Sequence, residues 1–388
     1  MGIHDIQFVL GAADPEMAAI ERLLREAGLR VIHALGPDGA RVRPADAYRV
    51  AALSEPIPAG ATVYRVECDG PAIPTDAVVI DHHRPGDPGY GRPPAEFMAT
   101  SSIGQVVQIL ASQDRIPRDW EYAATGSSFG EDDVELFGPH GRRRALSRFG
   151  DDDLRAVGAP VALGSPSVDG CVYDEPTGSW WVHWGSGGCD VGDWDLAAKI
   201  PADLVLIAAA DHCLAAAYRG ECPGVDPDAL MRWRAESRAR FQRRAVEDVL
   251  ADVERARAAL MDAPVVRLSP EPWEPACGVH GRTGACWQSG GPDPSVRTDA
   301  CYAMGDPLLV VDMRGRHVPE LPEASAREGV CFIADGLPGP DGRVKIVCQS
   351  GTPAQIDAFM RVWAPAQGLE DIYGDPARGF AGGYVKRG

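Results

Sequence analysis

Long apolar runs are missing from this 388-residue sequence. No stretch of about 18 consecutive apolar residues occurs, so the chain offers no candidate for a membrane-spanning helix. The opening residues, Met1-Gly2-Ile3-His4-Asp5, lack the basic and apolar regions of a signal peptide. The expectation is a cytoplasmic protein that makes no membrane contact. Basic charge is scarce as well: 38 Lys and Arg stand against 56 Asp and Glu, a formal net charge of −18. That balance argues against a broad electrostatic footprint on duplex nucleic acid. A small anionic substrate would need a local device, such as bound cations. The ten cysteines lack the short spacing of a disulfide scaffold and are expected to be mostly reduced. What is present, 45% hydrophobic residues in a chain long enough for two domains, suits a soluble globular protein.

The most informative stretch is Val78-Val79-Ile80-Asp81-His82-His83. An apolar run with β-branched residues stops at a carboxylate followed by two imidazoles. This is the pattern of a buried strand that delivers metal-capable side chains to the carboxyl edge of a sheet, where open α/β folds place their ligands. The Gly- and Pro-rich residues 84–91 read as a loop over that strand end. A chance strand end with surface histidines explains one such triplet equally well, so the neighbouring strand ends carry weight.

Ile6 to Leu10 reads as a first strand, followed by helical periodicity from Met17 to Leu29, the opening of a βαβ unit. Asp14 and Glu16 would project at the same edge as Asp81, although Asp14 reads equally well as an N-cap with Pro15 at the first helical position. Residues 30–35 and 62–70 read as strands, the second ending in Glu67 and Asp69. Residues 99–110 read as a helix entered through Ser101 and Ser102, whose terminal amides either hold an anion or are simply capped. Between 119 and 195 tryptophan and glycine crowd and helical periodicity fades, which reads as an inserted, β-rich segment; its Arg142-Arg143-Arg144 run reads first as a solvated turn. Residues 202–210 read as an apolar strand or buried segment ended by Asp211, and from Asp226 a single helix of about 35 residues is expected, some 50 Å long. Cys277, His280, Cys286 and Cys301 could bind zinc but fit no strong spacing, and the three cysteines read first as reduced thiols. Residues 374–384 read as a backbone-rich loop in which Arg378, with Gly382 and Gly383, allows close approach of a phosphate.

The acidic turn at Asp14 and Glu16, the acid at Asp69 or Glu67, the Asp81-His82-His83 triplet and Asp211, in this order, resemble the DHH phosphoesterase superfamily. That superfamily includes single-strand exonucleases, oligoribonucleases, cyclic-dinucleotide phosphodiesterases and family II inorganic pyrophosphatases. The resemblance covers about residues 1–118 and 196–262, and more loosely 305–388. Three positions depart from the family pattern: Leu10 stands where a His is usual, Glu16 replaces an Asp, and Tyr384 follows Gly382-Gly383 in place of a His.

The resemblance implies an α/β fold with an open, mainly parallel sheet in a DHH-type metal-binding domain (1–118 and 196–225), the insertion (119–195), a linker helix (226–262) and a smaller α+β substrate-binding domain (263–388). It implies a divalent-metal-dependent phosphohydrolase acting on a nucleotide, dinucleotide or short oligonucleotide. Asp14 would bind one metal, Asp69 (or Glu67) would bridge, and Glu16, His82 and Asp211 would bind the other. His83 would face the phosphate, Asp81 would orient a histidine, and Ser101, Ser102, Arg378, Gly382 and Gly383 would recognise substrate. Mixed imidazole and carboxylate ligands suit Mn2+, with Mg2+ second, and two ions would activate water and neutralise phosphoryl charge. The alternatives are another transformation of a phosphorylated small molecule at the same site, or a non-catalytic nucleotide-binding module. A homodimer would cover the apolar insertions.

Overall fold

The computed structural model describes residues 6–113, 115–117, 120, 122–126, 134–138, 141–145, 170–175, 178–186, 194–269, 308–338 and 342–386. It is mixed α/β and divides into two compact units, residues 1–234 and 235–388. In the first unit β1 (Ile6–Leu10), β2 (Val31–Leu35), β3 (Ala52–Leu53), β4 (Thr62–Val66) and β5 (Val78–Ile80) form a five-stranded sheet in the order β3-β2-β1-β4-β5. β1 lies parallel to β2 and to β4, β4 lies parallel to β5, and the edge strand β3 is antiparallel. Such a sheet is covered on both faces, which is why its strands read as apolar runs. Phe8 and Leu10 join a core with Met17, Ile20 and Leu24, while Val9 joins another with Val42, Ala47 and Val50. Each fully buried side chain of this size contributes roughly 1.5–3 kcal/mol. Parallel pairing also brings the carboxyl ends of β1, β4 and β5 to one edge, so Asp14, Glu67 and Asp81 leave the sheet on the same side.

Helix α1 (Pro15–Glu26) is amphipathic, burying Met17, Ile20, Leu23 and Leu24, and Asp14 caps it by accepting from Met17 N–H at 2.7 Å. The helix expected over 99–110 breaks at Ser101, which is extended at ψ 157°, into α2 (Phe97–Thr100) and α3 (Ser102–Ser112). The inserted segment contributes strands to a six-stranded antiparallel sheet built from Tyr122–Gly126, Val134–Gly138, Gly141–Ala145, Gly170–Asp174, Ser179–Ser186 and Trp194–Lys199. It packs on the first core through Trp180, whose ring meets Phe97 edge-on at 5.2 Å.

The segment read as an apolar strand or buried segment before Asp211 is a buried helix, α4 (Ala202–His212). Leu204, Val205, Ile207, Ala208 and Ala209 are all buried, so no polar stripe marks its period in the sequence. The single long helix expected from Asp226 is two: α5 (Leu214–Tyr218) precedes α6 (Pro227–Gln242), and α7 (Val246–Met261) follows after a break. Arg243 adopts φ 54°, its N–H bonding Arg240 O and that of Arg244 bonding Ala239 O, a helix-ending motif usually built on glycine.

The second unit carries a six-stranded mixed sheet of Val265–Arg267, Leu309–Asp312, Phe332–Pro338, Arg343–Gln349, Glu370–Asp375 and Phe380–Lys386, in which the last strand lies between the fourth and fifth. Residues 374–384 are therefore not a loop. Gly382 and Gly383 sit buried within the last strand, paired to Val347 and Ile346, and a Cβ on Gly382 would meet the Tyr373 hydroxyl at 2.5 Å. They serve close packing, which corrects their assignment to phosphate binding. Arg378 lies in the hairpin turn, its guanidinium 4.9 Å from the Phe380 ring centroid. Cys277, His280, Cys286 and Cys301 lie outside the described residues, as do the side chains of Arg142, Arg143 and Arg144. Among the described residues no helix is long and apolar enough to cross a membrane.

Candidate metal centre

Glu67 is the first residue beyond β4 and takes φ 48°, with its N–H on Ile80 O at 3.0 Å. This turn sends its side chain back over the sheet edge, toward the residues that leave β5. His82 is fully buried, and its Nε2 lies 2.9 Å from Asp211 Oδ2 and 3.7 Å from Glu67 Oε1. Glu67, His82, His83 and Asp211 each offer one ligand atom, and these atoms lie within 4.8 Å of one another. The group can hold a metal ion. Gly89 makes the position of His82 attainable: it donates to Asp81 O at 3.0 Å, and a Cβ there would lie 2.1 Å from Thr100 O and 2.7 Å from His82 Cβ.

Asp81 holds the triplet in place. Its Oδ1 accepts from the His82 and His83 amides at 2.7 and 3.0 Å and lies 2.9 Å from His83 Nδ1, while Oδ2 accepts from the Tyr48 hydroxyl at 3.0 Å. Burial opposes its charge, but the His83 hydrogen bond and the neighbouring imidazoles outweigh it and hold Asp81 down at about 2. As an acceptor from Nδ1–H it leaves His83 Nε2 as a lone-pair donor, the usual part of a carboxylate beside a ligating imidazole.

At Glu67, Asp14 and Glu16 burial and like charge win over the groups that favour ionisation. Burial, with the charges of Asp211 and Asp14, pushes Glu67 up to about 8 despite His83 nearby. Asp14 is pushed up to about 6 by burial and by Asp211, against the Met17 amide bond. Glu16 is pushed well above the usual range by burial, Asp211 and Glu67. Two of these carboxylate oxygens, Glu16 Oε2 and Glu67 Oε1, are buried with no hydrogen-bond partner. A buried acceptor left unpaired is costly, and several crowded carboxylates resist ionising together. A cation satisfies both demands, so the donor set fits a metal ion.

Several expected roles move. Asp69, expected as the bridge, keeps its side chain 43% exposed with Oδ2 at 3.4 Å from both Arg65 and Arg84; Glu67 takes the place beside His82. His83, expected to face a phosphate, joins the ligand group. Glu16 and Asp14 flank the four-residue group without belonging to it. Ser101 and Ser102 are fully buried, Ser101 Oγ caps α3 through Gly104 N–H, and the Ile103 amide that might meet an anion is taken by Glu16 Oε1 at 2.9 Å. Neither serine is open to solvent. Leu10 is wholly buried in the core and offers no polar group to the site.

Three residues escaped sequence reasoning. Tyr48 braces Asp81 from 33 positions away, Arg84 stacks on Tyr48 with 3.6 Å to the ring centroid, and His212 places its Nδ1 3.1 Å from His82 Nδ1. Only the position of His212 directly after Asp211 offered a local signal. Comparison of the chain with family models, with curated proteins and with solved structures finds no match in any of the three.

Proposed function

We propose that the first unit is the metal-binding domain of a divalent-cation-dependent phosphohydrolase of the DHH type, using Mn2+ and acting on a nucleotide, dinucleotide or short oligonucleotide. The observation that carries this reading is the meeting, at one sheet edge, of two imidazoles with Glu67 and Asp211, flanked by Asp14 and Glu16, where burial and neighbouring carboxylates outweigh every group that favours their charge. Mixed nitrogen and oxygen donors suit Mn2+, with Mg2+ second. When bound, such cations lower the pKa of a coordinated water and neutralise charge developing on a phosphoryl group. His82, His83, Glu67 and Asp211 would hold one ion, and Asp14 and Glu16 would contribute toward a second.

The chain's own groups prepare this site. Tyr48 and the two backbone amides fix Asp81 as a carboxylate, and Asp81 fixes the ring of His83. Arg84, half-exposed and stacked on Tyr48, offers a guanidinium to the anionic part of a substrate; a charge-assisted bond of that kind contributes roughly 1.5–3 kcal/mol. A panel of nucleotides, dinucleotides and pyrophosphate, incubated with the Mn2+-loaded chain and followed by release of phosphate or mononucleotide, tests the reading. Turnover that vanishes in His82→Ala supports it. A Mn2+-loaded chain that turns over nothing in the panel overturns the hydrolase assignment.

A further inference from the structure

His212 is buried at the end of α4, and its two ring nitrogens have different neighbours: Nε2 lies 3.3 Å from Thr100 Oγ1, and Nδ1 lies 3.1 Å from His82 Nδ1. Proton counting along this line assigns Thr100, His212 and the Nδ1 of His82. Thr100 Oγ1 sits 2.9 Å from the Glu96 carbonyl, which can only accept, so the hydroxyl proton goes there and Thr100 turns a lone pair toward His212. His212 then carries its proton on Nε2 and presents a bare Nδ1. Two ring nitrogens at hydrogen-bond distance need one proton between them, so His82 carries it on Nδ1. In the neutral ring the remaining nitrogen of His82, Nε2, is a lone pair on the atom that faces Asp211 and Glu67. A lone pair aimed at carboxylates is satisfied by a divalent cation or, without one, by a carboxylic proton.

We propose that His212, backed by Thr100, is a positioning residue that locks His82 in its Nδ1–H tautomer and so presents Nε2 to the metal. The inference rests on reading the cluster as a metal site. It parallels what Asp81 does for His83, with one chemical difference. A neutral imidazole acceptor orients His82 without adding negative charge beside Glu16, Glu67, Asp14 and Asp211. Metal-bound imidazoles need such a partner on the far nitrogen, and losing it weakens metal binding by roughly 10- to 100-fold.

The test reads the tautomer directly, on metal-free protein with 15N-labelled histidine, by long-range proton–nitrogen NMR of the imidazoles. With the ring neutral, the expected spectrum shows His82 protonated on Nδ1 and bare on Nε2. In His212→Phe that signature gives way to a tautomer mixture, and affinity for Mn2+ alone falls by roughly 10- to 100-fold. His212→Asn, whose amide can accept from His82 and donate to Thr100, restores the tautomer and most of the affinity. Thr100→Val, which keeps the shape but removes the lone pair, loosens the tautomer and serves if the Phe variant fails to fold. A wild-type His82 with a bare Nδ1, or variants with unchanged tautomer and Mn2+ affinity, would overturn the lock. A wild type with the expected tautomer that takes up no Mn2+ defeats the metal reading instead, so the two failures are told apart.

Discussion

At the residue scale the decisive choice is between Glu67 and Asp69, two acids in one strand-end turn. The sequence shows both and ranks neither; a backbone at φ 48° turns Glu67 inward, while Asp69 is held outward between Arg65 and Arg84. Glu67→Gln is therefore expected to abolish Mn2+ uptake with little change in fold, and Asp69→Asn to leave uptake near the wild-type level; the reverse order would restore Asp69 to the site. His82→Ala and Asp211→Asn should each lower bound Mn2+ and eliminate turnover while circular dichroism stays native. Full metal occupancy in both would remove them as ligands. His212 shows where reading ran out. It meets His82 across 130 positions, a distance that no local pattern encodes.

At the scale of elements, the strand ends were legible because β-branched apolar runs stop abruptly at acids. Asp211 is legible as the acid that ends an apolar run, while the helical type of that run is not, because a helix buried on nearly all sides loses the polar face that reveals its period. The break after Gln242 was illegible for a different reason: Arg243 fills a left-handed position without Gly or Pro to announce it. Arg243→Gly should relieve that strain and raise stability by roughly 1 kcal/mol, seen as a higher midpoint in denaturant. A lower midpoint would mean that the Arg243 side chain contributes more than its backbone costs. The loop over β5 gives the opposite expectation. Gly89→Ala places a methyl against Thr100 O and His82 Cβ and should cost roughly 1–3 kcal/mol while displacing His82, so that metal affinity falls along with stability. Unaltered metal binding in that variant would show that His82 does not depend on this close approach.

For the whole molecule, a net charge of −18 and an acidic site make stability a function of pH. In the metal-free chain Glu67, at about 8, and Asp14, at about 6, hold protons that the unfolded chain releases near the ordinary carboxylate values. The folded state binds more protons, so this contribution is fully present below the unfolded values and is lost as pH rises through 6 toward 8. The melting temperature of metal-free protein should fall across that window. Saturating Mn2+ should abolish the fall, because the cation replaces the protons as countercharge and stabilises the folded state by mass action. The central claim, that this edge of the sheet is a divalent-cation site, is met most directly by titrating the full chain with Mn2+ above pH 8 and reading free ion by electron paramagnetic resonance, beside a Glu67→Gln/His82→Ala variant. Saturable uptake by the wild type that the variant lacks is the predicted result; equal uptake by the two chains, or none by either, would contradict it.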